Sequence, residues 1–218
     1  MNDESDKLKS RDTADLHGSA PDKSPVALLL IDVINDLDFD RGEELLEFAL
    51  PMADRIAELK RQARAEKIPV IYVNDNFGRW RSDFRALVDH CLRRDCLGRP
   101  IVERLKPEED DYFVLKPKHS GFFSTTLDTL LEYLSVETVV LTGVASNICV
   151  LFTANEAYMR DFRLVVPSDC VAANTRVDND YAIAQMTQVL KADTRPSTEL
   201  KLAELKLAML KRAGPGDL

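Results

Sequence analysis

Residues 26–31, Val-Ala-Leu-Leu-Leu-Ile, form an unbroken apolar run that stops at Asp32. A strand with one wet face alternates apolar and polar residues. A run with no alternation suits a strand covered on both faces, as in a parallel sheet. The signature returns at residues 69–73, 112–115, 138–142 and 162–166, and residues 193–195 suggest a short sixth strand. Segments with helical spacing lie between these runs. Residues 44–67 put Leu45, Phe48, Ala49, Met52, Ile56 and Leu59 on one side and charges on the other. Residues 125–134 carry a stripe of Leu127, Leu130, Leu131 and Leu134. Further helices are expected over 147–160, 178–190 and 200–211, the last opening at Ser197-Thr198-Glu199. Residues 76–110 are polar and irregular, and read as a loop with short helices. Strands alternating with helices predict one α/β domain: an open, mostly parallel sheet with right-handed crossovers and helices on both faces.

A length of 218 residues suits one domain. Residues 1–24 contain no apolar stretch and read as a disordered polar tail, not a secretory leader, ahead of a domain over 25–218. The formal charge of −8 argues against nucleic acid or an anionic membrane as partner. No run approaches the ~20 apolar residues of a membrane helix. Four cysteines without a leader point to free thiols in a reducing compartment, the cytoplasm. His90, Cys91 and Cys96 have no second Cys/His pair with which to close a tetrahedral metal site. Cys170 follows an apolar run and reads as a packed core thiol.

Open α/β sheets bind ligands outside the carboxyl ends of their strands. Asp32, Lys116 and Cys149 stand at or just past three such ends, with Asp75 and Asp169 similarly placed. A single charge there often does no more than meet solvent. An acid, an ammonium and a thiol together are more specific, because they form an activated nucleophile set. In LTGVASNICV (141–150), Gly143 permits a tight turn or a close backbone approach. Ser146 is read as the helix N-cap, which puts Cys149 in the first turn, where the dipole and free N–H groups stabilise a thiolate. Lys116 is expected to lower the thiol pKa further and Asp32 to take its proton. The alternative is a structural cysteine after a routine strand–helix turn.

Three segments resemble the isochorismatase-like cysteine hydrolases, which include nicotinamidases, N-carbamoylsarcosine amidohydrolases and ureidoacrylate hydrolases. ALLLIDVINDL (27–37) is similar to the first-strand motif, with the catalytic aspartate on Asp32. VLKPKHSGF (114–122) is similar to the segment that carries the lysine four residues before a serine, here Lys116 and Ser120. LTGVASNICV is similar to the nucleophile segment, with the cysteine on Cys149. The resemblance runs from about residue 26 to 200. It implies a Rossmann-like three-layer α/β/α domain and a cis peptide between Val144 and Ala145. It also implies an oxyanion hole from the N–H groups of Ala145 and Cys149, no cofactor, and a homo-oligomer, dimer or tetramer.

The departures sharpen the expectation. Isochorismatases proper commonly have glycine at the cysteine position, so Cys149 favours the amidase side of the family. Nicotinamidases resemble one another in an Asp-x-His pair that helps to bind a metal; here the stretch reads Asp75-Asn76-Phe77. The chain has three histidines, His17, His90 and His119, so no metal is expected. Ile34, Leu37 and Gly121 replace a frequent glutamine, phenylalanine and alanine. The expected activity is thioester-mediated hydrolysis of a small amide, ureido or carbamoyl compound. The alternatives are an isochorismatase-type vinyl-ether hydrolase, or a catalytically silent binding subunit. Phe39, Phe77, Trp80, Phe84 and Phe123 are candidates for the substrate pocket, and equally for the core or an interface. The cluster Arg79, Arg81, Arg85 reads as a carboxylate site or, no less, as a solvated face or a subunit contact.

Overall fold

The structure, a computed structural model, describes residues 23–75 and 83–211. Its strands are β1 (Val26–Ile31), β2 (Val70–Asp75), β3 (Tyr112–Lys116), β4 (Thr138–Val144), β5 (Arg163–Val165) and β6 (Val171–Ala172). Its helices are α1 (Gly42–Ala65), α2 (Phe84–Cys91), α3 (Arg99–Arg104), α4 (Leu127–Tyr133), α5 (Leu151–Tyr158), α6 (Arg176–Gln188) and α7 (Leu202–Leu210). All strand pairs are parallel, in the order β3-β2-β1-β4-β5. β6 pairs with the upper end of β4, beyond the register of β5.

The unbroken run of β1 is explained by the layers on either side of it. Val26, Leu28 and Leu30 enter a core shared with α1, α2, α3 and α7, whereas Ala27, Leu29 and Ile31 enter a second core shared with α4, α5 and α6. Every residue of β1 is fully buried, so neither face tolerates a polar side chain. The result is a three-layer α/β/α domain. The order reverses at β1: the chain leaves it for β2 on one side and returns to β4 on the other. That reversal marks the carboxyl ends of β1 and β4 as the place where open α/β sheets bind ligands.

Two expectations change. Residues 193–195 form no strand, because Asp193 contributes a single parallel bridge to Val165. The sixth strand is instead Val171–Ala172, which continues the β4 edge after the chain bulges out at residues 166–170. Helix α6 begins at Arg176, earlier than expected, because Thr175 caps it. Its hydroxyl accepts from the Asp178 N–H at 3.1 Å and donates to the Asp178 carboxylate at 2.6 Å. Thr175→Ala is therefore expected to cost about 1 kcal/mol, measured as a lower denaturant midpoint with an unchanged slope.

Candidate active site

The register places the three candidate residues before any side chain is considered. Ile31 pairs with Val73 on one side and Gly143 on the other, so Asp32 emerges between the ends of β2 and β4. Lys116 closes β3, level with Asp75 on β2. Its fully buried side chain reaches across β2, and Nζ lies 2.8 Å from Asp32 Oδ2 and 3.7 Å from Asp75 Oδ2. The same Nζ donates to Cys149 Sγ at 3.5 Å and to the Lys118 carbonyl at 3.2 Å. The other Asp32 oxygen, Oδ1, accepts from the Asp75 N–H at 2.7 Å. Asp32 has a left-handed backbone, φ 50°, which turns the chain off the strand and into the site.

The loop that carries Asp32 is tied down beyond it. Asn74, fully buried, donates through Nδ2 to the Ile34 carbonyl at 2.8 Å. Gly98 N–H donates to the Asp36 carbonyl at 3.1 Å. His90 is taken up there too, with Nε2 3.0 Å from Asp36 Oδ2.

Cys149 arrives from β4. Gly143 has φ 110°, and a Cβ on it would stand 2.0 Å from the Ile31 carbonyl oxygen, so close approach of β1 and β4 requires glycine. The Val144–Ala145 peptide is cis. Residues Ser146–Val150 then form a π-helical turn ahead of α5, with Val150 N–H bonded to the Ala145 carbonyl at 3.2 Å. The N-cap position falls on Ala145 and has no side-chain cap. This corrects the expectation for Ser146, which lies inside the turn with its hydroxyl buried and without a hydrogen-bond partner. The wider π turn, not a capped α-helical turn, presents Cys149.

Electrostatics also depart from the expectation of a lowered thiol pKa. Burial pushes Cys149 up to about 12; the Asp32 carboxylate adds to the rise, and Lys116 opposes it. Burial likewise raises Asp32, against the pull of Lys116. Lys116 is itself raised: burial lowers it, but Asp32, Cys149 and Asp75 together outweigh that. Burial thus disfavours the ionised forms of both Asp32 and Cys149, whereas the neighbouring acids favour the ammonium form of Lys116.

Of the aromatics considered for the pocket, Phe84 is buried in the core against Tyr72. Phe39 (47% exposed) lies on the loop after β1 and Phe123 (50% exposed) on the loop after β3, whereas Phe77 and Trp80 lie outside the described residues. An exposed side chain beside the sulfur is His119, with Nδ1 3.9 Å from Sγ, and the Phe152 ring packs on that imidazole. Sequence reasoning passed over both. A signal existed in His119, an isolated histidine three residues after Lys116 in a segment already singled out.

Comparison with known proteins defines the class. The Isochorismatase domain family model matches residues 26–194, and the chain belongs to the isochorismatase family of hydrolases. It is 41% identical over 182 residues to the uncharacterized isochorismatase family protein YaaI of Bacillus subtilis, covering 84% of this chain and 98% of that one. It is 28% identical over 142 residues to the ureidoacrylate amidohydrolase RutB of Methylorubrum extorquens, a match spanning 55% of this chain and 56% of the relative. Among solved structures, the N-carbamoylsarcosine amidase of Thermoplasma acidophilum aligns with a TM-score of 0.60 and 29% identity, over 81% of this chain and 98% of that one. Among the described residues, no helix is long and apolar enough to cross a membrane.

Proposed function

We propose that the protein is a metal-independent cysteine amidohydrolase that cleaves the C–N bond of a small amide, ureido or carbamoyl compound. The observation that carries this reading is one ammonium, Lys116 Nζ, in contact with both the Asp32 carboxylate and the Cys149 sulfur, at 2.8 and 3.5 Å. Burial favours the neutral thiol, so attack and proton transfer are coupled: Asp32 takes the Cys149 proton as sulfur bonds to the carbonyl carbon. The rise in the Asp32 pKa suits this, since a carboxylate of ordinary basicity is a poor match for a thiol. The carbonyl oxygen gains charge and is held by the N–H groups of Ala145 and Cys149. Asp32 then gives its proton to the departing nitrogen, which leaves a thioester. Water attacks the thioester with Asp32 as base, releasing the acid and restoring the thiol. Lys116 keeps Asp32 oriented and balances its charge throughout. The protein is expected to work in the cytoplasm as a homo-oligomer.

Ammonia release from nicotinamide, N-carbamoylsarcosine, ureidoacrylate and simple primary amides tests the reading. Turnover of at least one by wild type, with a trapped thioester seen by mass spectrometry, supports it. No amide turnover, with hydrolysis of a vinyl ether such as isochorismate, would overturn it. Metal independence has its own measurement. Prolonged chelator treatment should leave the rate unchanged, and elemental analysis should find no stoichiometric zinc or iron. Loss of activity that a divalent ion restores would contradict it.

A further inference from the structure

Asp32 and Lys116 meet the Cys149 sulfur from the protein interior, where both are buried. His119 meets it from outside: the residue is exposed, and its Nδ1 lies 3.9 Å from Sγ. The imidazole is not loosely placed. The preceding residue, Lys118, accepts from Lys116 Nζ through its carbonyl at 3.2 Å. The following residue, Ser120, is buried, and its hydroxyl accepts from the Phe122 N–H at 3.1 Å. The ring itself packs on Phe152, centroid to centroid 5.5 Å and tilted by 58°. Phe152 lies three residues beyond Cys149, so the thiol and the support for the imidazole share one stretch of helix. A carbonyl carbon bonded to Sγ must lie beside this ring.

We propose that His119 is a further catalytic residue of the amide hydrolysis described above, on which this inference rests, and that its Nδ1 accepts a hydrogen bond from the N–H of the scissile amide. The step balances without a change in the imidazole. The S–C bond forms, the C–N bond breaks, and the thiol proton travels by way of Asp32 to the nitrogen. His119 keeps its own proton on Nε2. By holding the N–H, the imidazole turns the nitrogen lone pair toward Asp32, where the proton waits. A substrate class follows. The leaving nitrogen must carry at least one hydrogen, as in primary amides, ureido acids and carbamoyl amines. An N,N-disubstituted amide or an ester offers the imidazole nothing to accept.

The test compares the amide that wild type hydrolyses fastest with the methyl ester of the same acyl group, in wild type, His119→Phe and His119→Asn. Phenylalanine keeps the stack on Phe152 and removes the acceptor; asparagine keeps a polar group of similar reach. His119→Phe should lower kcat/KM for the amide by roughly 10–100-fold, the scale of one well-placed hydrogen bond lost from the transition state. The ester should change less than about threefold, and His119→Asn should recover part of the amide rate. Equal loss on both substrates, or no loss on the amide, would overturn the role of His119 while leaving a Cys149-dependent amidase in place. If wild type cleaves no amide at all, the proposed function fails and this inference falls with it. The three results are distinguishable in one set of rates.

Discussion

Cys149→Ala is expected to abolish amide hydrolysis, with kcat falling by on the order of 10⁴-fold or more, because among the described residues Cys149 is the thiol that contacts Lys116. The fold should persist. The change removes one sulfur from a partly exposed position and leaves the Lys116–Asp32 contact of 2.8 Å untouched. Stability should therefore move by less than about 1 kcal/mol, and the thioester mass adduct seen in wild type should be absent. Retention of more than a few per cent of activity in clean variant protein would remove the covalent mechanism.

Replacement of Lys116 should have the second large effect, on stability as well as rate. Lys116→Met keeps most of the apolar stem and deletes the charge, leaving Asp32 buried without its cation. Breaking a buried pair in this way costs about 3–5 kcal/mol. The loss should depend on pH with a definite sign. The folded-state pKa of Asp32 is already raised by burial, and without Lys116 nothing comparable opposes that burial. A carboxyl group raised in the folded state gives up stability as pH climbs from the ordinary carboxylate range through its folded value. The variant should therefore be weaker at a mildly alkaline pH than at a mildly acid one, because acid favours the protonated, uncharged Asp32. Urea unfolding of wild type and variant at the two pH values reads this directly. An equal loss at both would mean that Asp32 is not the group stranded by the substitution. Activity should fall at least 100-fold, since the base loses both its orientation and its counter-charge.

Much of the fold was legible because its signals are local. The run at Val26–Ile31 has the same bounds in sequence and structure, since a strand covered on both faces must be apolar at every position. Likewise, Asp32, Lys116 and Cys149 were legible as strand-end residues, because a parallel sheet sends its carboxyl ends to one edge. The errors fell where the deciding contact is remote in sequence. Residues 193–195 resemble a strand, but the chain spends the open edge of β4 on Val171–Ala172. Ser146 looks like an N-cap by type and position, whereas the turn it joins is π-helical and begins at Ala145.

The sequence by itself determined the layered α/β architecture and the placing of Asp32, Lys116 and Cys149 at or just past strand ends, for these follow from burial pattern and strand direction. Tertiary structure alone decided how those groups behave. Whether Cys149 rests as thiol or thiolate depends on a balance between burial, Asp32 and Lys116, and the three groups come from segments 33 to 117 residues apart. Burial raises the Cys149 pKa to about 12, against the pull of an ammonium 3.5 Å away. The place of His119 was decided in the same way: an unremarkable loop histidine in sequence, it becomes a neighbour of the sulfur only when the β3 loop and α5 pack together.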